Sequence, residues 1–413
     1  MFAPRRLMLQ YGPTAIVSKE KPNMSSRRLK VAVVGASMST DRGGHQRFAV
    51  RAHLPALKAL PHLYEVAAIC TTRMETATVA AAHFSVPHAF DDVRRMLREL
   101  PGIDVVCVSV RPTGQHEVIM AALEAGKHVY CEHPMGISTA QAAEIAGLAV
   151  RKGLRTVVGH EHHYEPAMLE LADLMRQGYV GEPIHFDVAF FNGGLIVPQP
   201  REWLYQAEAG GHPAWRSGHS LERVTSALGD IRDVCADMST YAPRGHADGA
   251  LSAMNQTNNL SFLLRTRDNV MGSLQLSLTA WRGPGASFQV YGSEGMLLLR
   301  EEDMDSKSTV KGDPRAGHLK LYGSRMRDAG KTPTMQAIQP SEKHTYVAGL
   351  DTGSTTFPVA QMWHALAEAI NSGQECSPSF RDELKLHCVW DATEQSQRER
   401  CWTKVDYGPL KDL

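Results

Sequence analysis

The sequence predicts an α/β fold with an N-terminal Rossmann-type, doubly wound parallel sheet and a C-terminal α+β domain with an open, mostly antiparallel sheet. In the first third of the chain, short apolar runs alternate with helical patterns, as expected for parallel strands joined by crossover helices. From Ile184 onwards, period-two alternation and turn residues dominate, which is typical of antiparallel strands. A chain of 413 residues is long enough for two domains.

Four apolar runs in the first part are predicted to be buried parallel strands, at residues 29–34, 64–70, 103–110 and 127–132. Helical patterns accompany them at residues 47–60, 74–83, 93–100 and 116–125. Gly126 follows the last helix, where a C-terminal cap is expected. Ligands bind a doubly wound sheet at the carboxyl ends of its strands. Those ends are residues 35–38, 71–73, 109–111 and 132–134.

The turn after the first strand has the composition of a phosphate-binding loop. Gly35 permits a tight turn, and the small residues Ala36 and Ser37, followed by Met38, let a pyrophosphate approach main-chain N–H groups. Ser37 replaces the second glycine of G-x-G-x-x-G, and residues 39–44 lengthen the turn. The loop alone fits a nucleotide site or an ordinary strand–helix turn. The alternating strands and helices that follow favour the nucleotide.

The end of the second strand bears on the choice between NAD and NADP. An NAD-selective fold usually places Asp or Glu there, whereas this chain has Thr71, Thr72 and Arg73. A guanidinium without a neighbouring carboxylate suits a 2′-phosphate. Arg73 can equally be a solvated residue at the start of the next helix. Both cofactors therefore remain open.

The patterns after Gly136 differ from those before it. The sequence predicts a helix at 138–152, a strand ending in the histidines at 160–163, and a helix at 166–177. Strand-rich segments follow from Ile184, residues 303–345 read as a polar surface excursion, and helices are predicted at 359–373 and 383–400. The expected division is an extension or disordered segment at 1–28, a dinucleotide-binding domain at 29–156 and a substrate and oligomerisation domain at 157–413. The C-terminal helices are candidates to pack back on the first domain.

Composition excludes several classes of function. The 44 basic and 44 acidic residues balance, so no net field favours nucleic acid or an acidic membrane. No apolar run is long enough to cross a bilayer. The seven cysteines lack C-x-x-C spacing and several lie in predicted core strands, as in a reduced intracellular protein. We therefore expect a cytoplasmic protein with a small-molecule substrate and no direct nucleic-acid or membrane partner.

Five ordered motifs resemble the Gfo/Idh/MocA family of oxidoreductases, over nearly everything from Leu29 to about Asp391. They are EAGKHVYCEHPMG, VVGHEHHYEPAM, MRQGYVGEPIHFDV, GGHPAWRSGHSLERVTSALGDI and FQVYGSEGMLLL. The segment RAHLPALKALP and the sequence VYCEHPMG are most similar to the branch that contains the galactose-regulon repressor. The resemblance implies NAD or NADP on the first domain and a sugar, cyclitol or related hydroxylated substrate against the second sheet. It also implies a homodimer or homotetramer.

The family passes hydride between the cofactor and a carbinol carbon, and this requires a group that handles the hydroxyl proton. Here His133 replaces the lysine of the E-K-P motif, and Trp215 replaces the aspartate of the second-domain signature, whereas His219 is retained. The resemblance therefore implies His219 and His133 as catalytic residues. The implied cofactor-binding residues are Gly35, Ala36, Ser37, Met38, Thr71, Thr72, Arg73, Ser109, Val110, Arg111, His116, Glu132 and His133.

A substrate site is expected where the two domains meet. The implied residues are His160, His162, His163, Asn192, Gly193, Trp215 and His219, and Trp203 and Trp281 are either pocket or core residues. On a strand, His160 and His162 would share one face and His163 would point away. Histidines in this pattern can bind a metal. Because the family uses these positions for substrate and cofactor contacts, no metal is expected.

Two further classes of function fit the same motifs. With the family lysine and aspartate both replaced, the fold could bind cofactor without turnover, as a regulator similar to the galactose repressor. The second class is an NAD-dependent glycoside hydrolase. This activity occurs in the family and uses transient oxidation of the substrate. An oxidoreductase is the principal expectation, because imidazoles stand at the positions that handle the proton.

Overall fold

The computed structural model describes residues 27–38, 47–196, 205–210, 212–241, 254–302, 318–330, 334–411 and 413. Most of the predicted N-terminal extension, the lengthened turn at 39–44, Trp203 and Gly211 lie outside these ranges. No helix in the described part of the chain is both long and apolar enough to cross a membrane.

The first sheet has six parallel strands in the described residues, in the order β3-β2-β1-β4-β5-β6. They are β1 (Leu29–Val34), β2 (Tyr64–Cys70), β3 (His88–Phe90), β4 (Val105–Val108), β5 (His128–Glu132) and β6 (Thr156–Gly159). This strand order is that of a dinucleotide-binding fold. It confirms the predicted doubly wound sheet.

Two features of this sheet differ from the sequence-based prediction. The strand β3 was not predicted, because a three-residue strand is too short to show a period. The strand β6 pairs in parallel with β5, so the first sheet continues to Gly159 and the expected boundary at 156 cuts through its last strand.

Helices cover the sheet and end where their capping residues require. They are α1 (Leu54–Ala59), α2 (Met74–Phe84), α3 (Val93–Glu99), α4 (Pro112–Glu124) and α5 (Thr139–Arg151). A single π-helical turn, Ala49–His53, precedes α1. Gly126 adopts a φ of 72° just after α4, as predicted for a C-terminal cap. The Ser138 hydroxyl accepts a hydrogen bond from the Gln141 amide and caps α5.

The second domain is built on a mostly antiparallel sheet, as predicted. Its strands, in the order β14-β13-β12-β11-β7-β10-β9-β8-β15, are β7 (Pro183–Phe191), β8 (Ile231–Ser239), β9 (Asn259–Thr266), β10 (Met271–Ser277), β11 (Gly285–Gly292), β12 (Gly295–Glu302), β13 (His318–Arg325), β14 (Gln336–Ile338) and β15 (Thr403–Lys404). Only β7 and β10 pair in parallel among these described strands. The remaining helices are α6 (Pro166–Arg176), α7 (Ala207–Gly210), α8 (Gly218–Leu228), α9 (Thr356–Ser372) and α10 (Phe380–Glu399).

The expectation of a continuous surface excursion at residues 303–345 is wrong in its second half. The strand β13 lies in this segment and pairs with β12 along its whole length. Its sequence HLKLYGSR alternates with period two, and the surrounding Gly, Lys and Ser residues obscured that pattern.

The two C-terminal helices do pack back on the first domain. The indole of Trp363 on α9 is fully buried, and its ring lies 5.1 Å from that of Tyr64 on β2 and 4.8 Å from that of Tyr130 on β5. The Tyr64 hydroxyl donates to the Trp363 carbonyl oxygen at 2.7 Å. The other helix, α10, contacts both α5 and β8. It therefore bridges the two sheets.

The tight turn after β1 brings it against the end of β4. Gly35 has a φ of 103°, and a Cβ atom at this position would lie 2.2 Å from the Ser109 carbonyl oxygen. No side chain fits that space, and a positive φ adds strain for any other residue.

We predict that Gly35→Ala destabilises the protein by more than about 2 kcal/mol, from backbone strain and overpacking together, and weakens NADH binding. Thermal unfolding and NADH fluorescence titration measure the two effects. Gly102→Ala is the matched control, because a Cβ at Gly102 meets no atom within 4 Å. Equal effects of the two substitutions would contradict this account of the turn.

Candidate functional site

The centre of the candidate site is the carboxylate of Glu383, which is completely buried in the first turn of α10. Its Oε1 accepts a hydrogen bond from His133 Nδ1 at 2.8 Å, and its Oε2 accepts one from His160 Nε2 at 2.7 Å. The Met135 amide also donates to Oε1, at 3.3 Å. A charge with no solvent access is stable only when donors of this kind surround it.

His133 directly follows β5, and His160 directly follows β6. Because Glu383 contacts both histidines, it holds the ends of the two strands in place. The capping box at Ser379 and Asp382 begins α10 and sets the position of the carboxylate. The strand β6 is further tied to this segment, since the Val158 amide donates to the Pro378 carbonyl oxygen at 2.9 Å.

The imidazole of His160 connects this carboxylate to His219. His160 Nδ1 and His219 Nδ1 are 3.3 Å apart, within hydrogen-bond distance. His219 lies near the start of α8, and its ring centroid is 5.0 Å from that of His133. The structure therefore brings both sequence-predicted catalytic histidines together, with His160 and an unpredicted glutamate between them.

His133 is held on both sides of its ring. Its Nδ1 faces Glu383 and its Nε2 lies 3.0 Å from the Trp215 carbonyl oxygen. Both partners are acceptors, so both hydrogen bonds form only when each ring nitrogen carries a proton. Gly218 leaves room for this ring, because a Cβ there would lie 2.1 Å from His133 Cε1. The main chain of Trp215, rather than its indole, makes the polar contact with His133.

We call Glu383, His133, His160 and His219 the cluster. Their environment shifts the pKa values of Glu383, His160 and His219 in opposite directions. Burial raises the pKa of Glu383, but the neighbouring His133 and His160 outweigh it, so the pKa lies well below its ordinary range. Burial lowers the pKa of His160, but the charge and hydrogen bond of Glu383 prevail and raise it. Burial and the surrounding cations lower the pKa of His219 well below its ordinary value. His219 is thus neutral at physiological pH.

The histidines at 162 and 163 do not lie on a strand, and this part of the sequence-based prediction is wrong. The strand ends at Gly159, and Glu161–Tyr164 form a 3-10 turn. His162 pairs with Glu165 at 2.6 Å on this turn, and burial of its ring is outweighed by that carboxylate, which raises the pKa of His162.

His163 points into the protein and pairs with Glu222 on α8 at 2.6 Å. The tight spacing of a 3-10 turn directs His160, His162 and His163 to three different carboxylates. A strand would have placed His160 and His162 on one face.

Glu132, the last residue of β5, is held by His53 and Gln115. Its Oε1 lies 2.7 Å from His53 Nε2, and the Trp363 indole N–H donates to His53 Nδ1 at 3.1 Å. The Gln115 side chain donates to the Glu132 carbonyl oxygen at 2.9 Å. These contacts fix the end of β5, where the predicted cofactor-binding and catalytic positions adjoin.

Apart from His116, which lies within α4, the predicted nucleotide residues lie at the carboxyl ends of β1, β2, β4 and β5, as expected. Ala36 is buried and Ser37 and Met38 are partly exposed. The Thr71 hydroxyl bonds to Thr76 Oγ1 and the Arg73 carbonyl oxygen within its own turn, whereas the side chains of Thr72 and Arg73 are exposed. Ser109 and Val110 are half-buried and Arg111 is exposed, before Pro112 begins α4.

Three predicted residues lie apart from the cluster. His116 Nε2 is 2.7 Å from Glu144 on α5. Asn192 follows β7, where its side-chain oxygen accepts from the Gly194 amide at 2.9 Å, and Gly193 lies beside Ala280 and Trp281. Among the described contacts, none joins these residues to His219.

The donor atoms of His133, His160 and Glu383 all lie within 4.8 Å of one another, close enough to hold a metal ion. The two imidazole hydrogen bonds to the Glu383 carboxylate also give these polar groups partners without a metal ion. The expectation of no metal therefore stays a prediction.

A cavity of about 540 Å³ lies between α5, β6, α8 and the start of α10. His160, His163, Glu222 and Glu383 contribute to its wall, together with the segment before α10. None of the strand-end residues predicted to hold the nucleotide lines it. The cavity is therefore separate from the strand ends that the sequence predicts to hold the nucleotide.

Sequence reasoning missed Glu383, although a signal for it exists. Phe380, Glu383 and His387 follow one another at spacings of three and four, so the carboxylate lies on the buried face of α10. A glutamate in that position needs a buried partner. The sequence did not indicate which partner, because His133 and His160 lie more than two hundred residues away.

Comparisons with known proteins agree with this architecture. Residues 29–160 match a family model described as oxidoreductase family, NAD-binding Rossmann fold, and residues 168–298 match the GFO/IDH/MocA C-terminal domain. The chain is 23% identical to levoglucosan dehydrogenase of Pseudarthrobacter phenanthrenivorans over 384 residues, 87% of this chain and 96% of that protein.

A solved structure of levoglucosan dehydrogenase in complex with NADH and levoglucosan has the same fold, with a TM-score of 0.78 and 22% identity. The match covers 92% of this chain and 100% of that chain. The galactose/lactose metabolism regulatory protein of Saccharomyces cerevisiae is 25% identical over 214 residues, 48% of this chain and 46% of that protein.

We predict that Glu383→Gln destabilises the protein by about 3–5 kcal/mol at pH 7, because it removes the charge on which two buried imidazoles depend. Since folding depresses the pKa of Glu383, its contribution is present above the ordinary carboxyl value of 4.5 and is lost as the pH falls further. The difference between the variant and the parent protein should therefore shrink below about pH 4.5. Urea unfolding at several pH values measures it.

Glu399→Gln on the exposed end of the same helix is the control, with an expected change within about 0.5 kcal/mol. A Glu383→Gln effect as small as that of the control would show that the buried carboxylate does not hold the cluster together.

Proposed function

The chain belongs to the Gfo/Idh/MocA family of oxidoreductases with an NAD-binding Rossmann fold, and on this premise we propose that it transfers hydride between a nicotinamide cofactor and a carbinol or carbonyl carbon of a sugar, cyclitol or related compound. The observation that carries the proposal is a hydrogen-bonded series in which His160, after β6, joins Glu383 on α10 to His219 on α8. The similarity to levoglucosan dehydrogenase supports a sugar-like substrate.

The residues at the strand ends fit a dinucleotide. Gly35 keeps the turn after β1 free of a side chain, and Ala36 and Ser37 expose main chain to a pyrophosphate. Thr72 and Arg73 lie exposed where the adenosine ribose binds in this fold. When bound, the nicotinamide supplies or accepts the hydride. The choice between NAD and NADP stays part of the proposal.

The donor and acceptor directions of the hydrogen bonds assign a role to His160 and to His219. His160 Nε2–H donates to the Glu383 carboxylate. When His160 is neutral, its Nδ1 therefore carries a lone pair that accepts from His219 Nδ1–H. This tautomer leaves the lone pair of His219 on Nε2, where it can accept the proton of a substrate hydroxyl.

Because the pKa of His160 is raised, its protonated form is also available, and it allows the reverse reaction, in which the substrate receives a proton. When His160 is protonated, its Nδ1–H donates to His219, and His219 then carries its own proton on Nε2. That proton can be given to a carbonyl oxygen as the carbon is reduced, and His160 replaces it. The same three groups thus serve oxidation and reduction, while Glu383 is a positioning residue.

A cofactor-binding regulator without turnover is the second candidate. It is favoured by the similarity to the yeast regulatory protein and by the replacement of the family lysine with His133. Both nitrogens of His133 are engaged in contacts with protein acceptors, which supports His219 rather than His133 as the group that meets the substrate.

We predict that His219→Ala lowers kcat/KM for hydride transfer by about 10²- to 10⁴-fold, the usual contribution of a general acid–base group, and leaves NADH affinity nearly unchanged. Absorbance of the reduced nicotinamide, followed with a panel of polyols and ketones, measures turnover, and fluorescence titration measures binding. His83→Ala on the exposed side of α2 is the control. Tight NADH binding with no turnover of any substrate by the parent protein would favour the regulator.

A further inference from the structure

A buried arginine on the same helix as His219 has no anionic partner among the residues that the structure describes. Arg223 on α8 is 3% exposed, and its Nε is buried without a hydrogen-bond partner. No carboxylate of the described residues lies within ion-pair distance of its guanidinium. Arginine is rarely buried unless it is paired, because its desolvation is costly.

Three carboxylates around the histidines are hydrogen-bonded to imidazoles and not to this arginine. Glu222 pairs with His163, Glu165 with His162, and Glu383 with two imidazoles. Among the described residues, none of the three forms an ion pair with the guanidinium of Arg223.

The helix places the guanidinium next to the acid–base group. Residues four apart lie on the same face of a helix, so Arg223 follows His219 directly along α8. Its charge acts on both His219 and His162, whose rings lie 5.7 Å apart. Arg223 thus shares a face of α8 with His219, the group that handles the substrate proton in the proposed function.

From this arrangement we infer that Arg223 binds an anionic group, a carboxylate or a phosphate, on the hydroxylated substrate. The inference rests on the proposed function and narrows it to acidic or phosphorylated hydroxy compounds. A guanidinium suits either anion, because its fork of N–H donors matches two oxygens at once. Binding the anion completes the ion pair that the described part of the chain does not supply.

The test is anion binding to the protein saturated with NADH, which keeps the dinucleotide crevice filled. Inorganic phosphate and acetate are titrated separately by calorimetry against the parent protein, Arg223→Met and Arg223→Lys. We expect Arg223→Met to weaken the preferred anion by about tenfold to a hundredfold, as for a charge-assisted hydrogen bond. Arg223→Lys should retain part of the affinity. The probe that binds more tightly distinguishes carboxylate from phosphate.

Arg98→Met is the matched control, because Arg98 is exposed on α3. Thermal unfolding checks that each variant is folded, and the lysine variant keeps the test usable if the methionine variant is not. Absence of phosphate and acetate binding by the parent protein, or equal binding by Arg223→Met, would overturn the inference.

A second arm compares hydride transfer from D-glucose, D-glucuronate and D-glucose 6-phosphate. We expect an acidic compound to be preferred, and the preference to be lost in Arg223→Met. Anion binding that depends on Arg223 without any hydride transfer would contradict the proposed function alone. Turnover of neutral glucose that Arg223→Met leaves unchanged, with no anion binding, would contradict the inference alone.

Discussion

The whole site depends on one buried negative charge. Glu383 has no exposed surface, and two imidazoles and a main-chain amide surround its oxygens. In a low-dielectric interior an unpaired carboxylate would take up a proton, whereas this one remains ionised because His133 and His160 supply donors and charge. The same contact joins α10 to the ends of β5 and β6. The same atoms therefore set both the electrostatic stability of the carboxylate and the positions of His133 and His160.

This carboxylate also determines how His133 is held. His133 is the residue that the family resemblance aligns with a lysine, and its two ring nitrogens contact Glu383 and the Trp215 carbonyl oxygen. In the proposed function the proton passes instead through His160 and His219. In our further inference an anionic substrate pairs with Arg223, which is buried and has no ion-pair partner among the described residues.

Much of the fold followed from local patterns. The apolar runs of β1 and β2 and the glycine after α4 lie where the sequence predicted them, because buried parallel strands and helix caps depend on neighbouring residues. The failures have physical causes. The strand β3 is too short to show a period, β13 is embedded in a polar segment, and the turn at Glu161–Tyr164 resembles a continued strand.

The site was predicted in part. His133 and His219 meet as expected, but the groups that organise them could not be assigned, because Glu383 is 250 residues from His133 and pairs with it only in the folded chain. A crystal structure with bound NADH tests the central claim most directly. The account predicts that C4 of the nicotinamide and His219 Nε2 line one cleft, roughly 5–7 Å apart, so that a carbinol fits between them. A nicotinamide more than about 10 Å from His219 would contradict it.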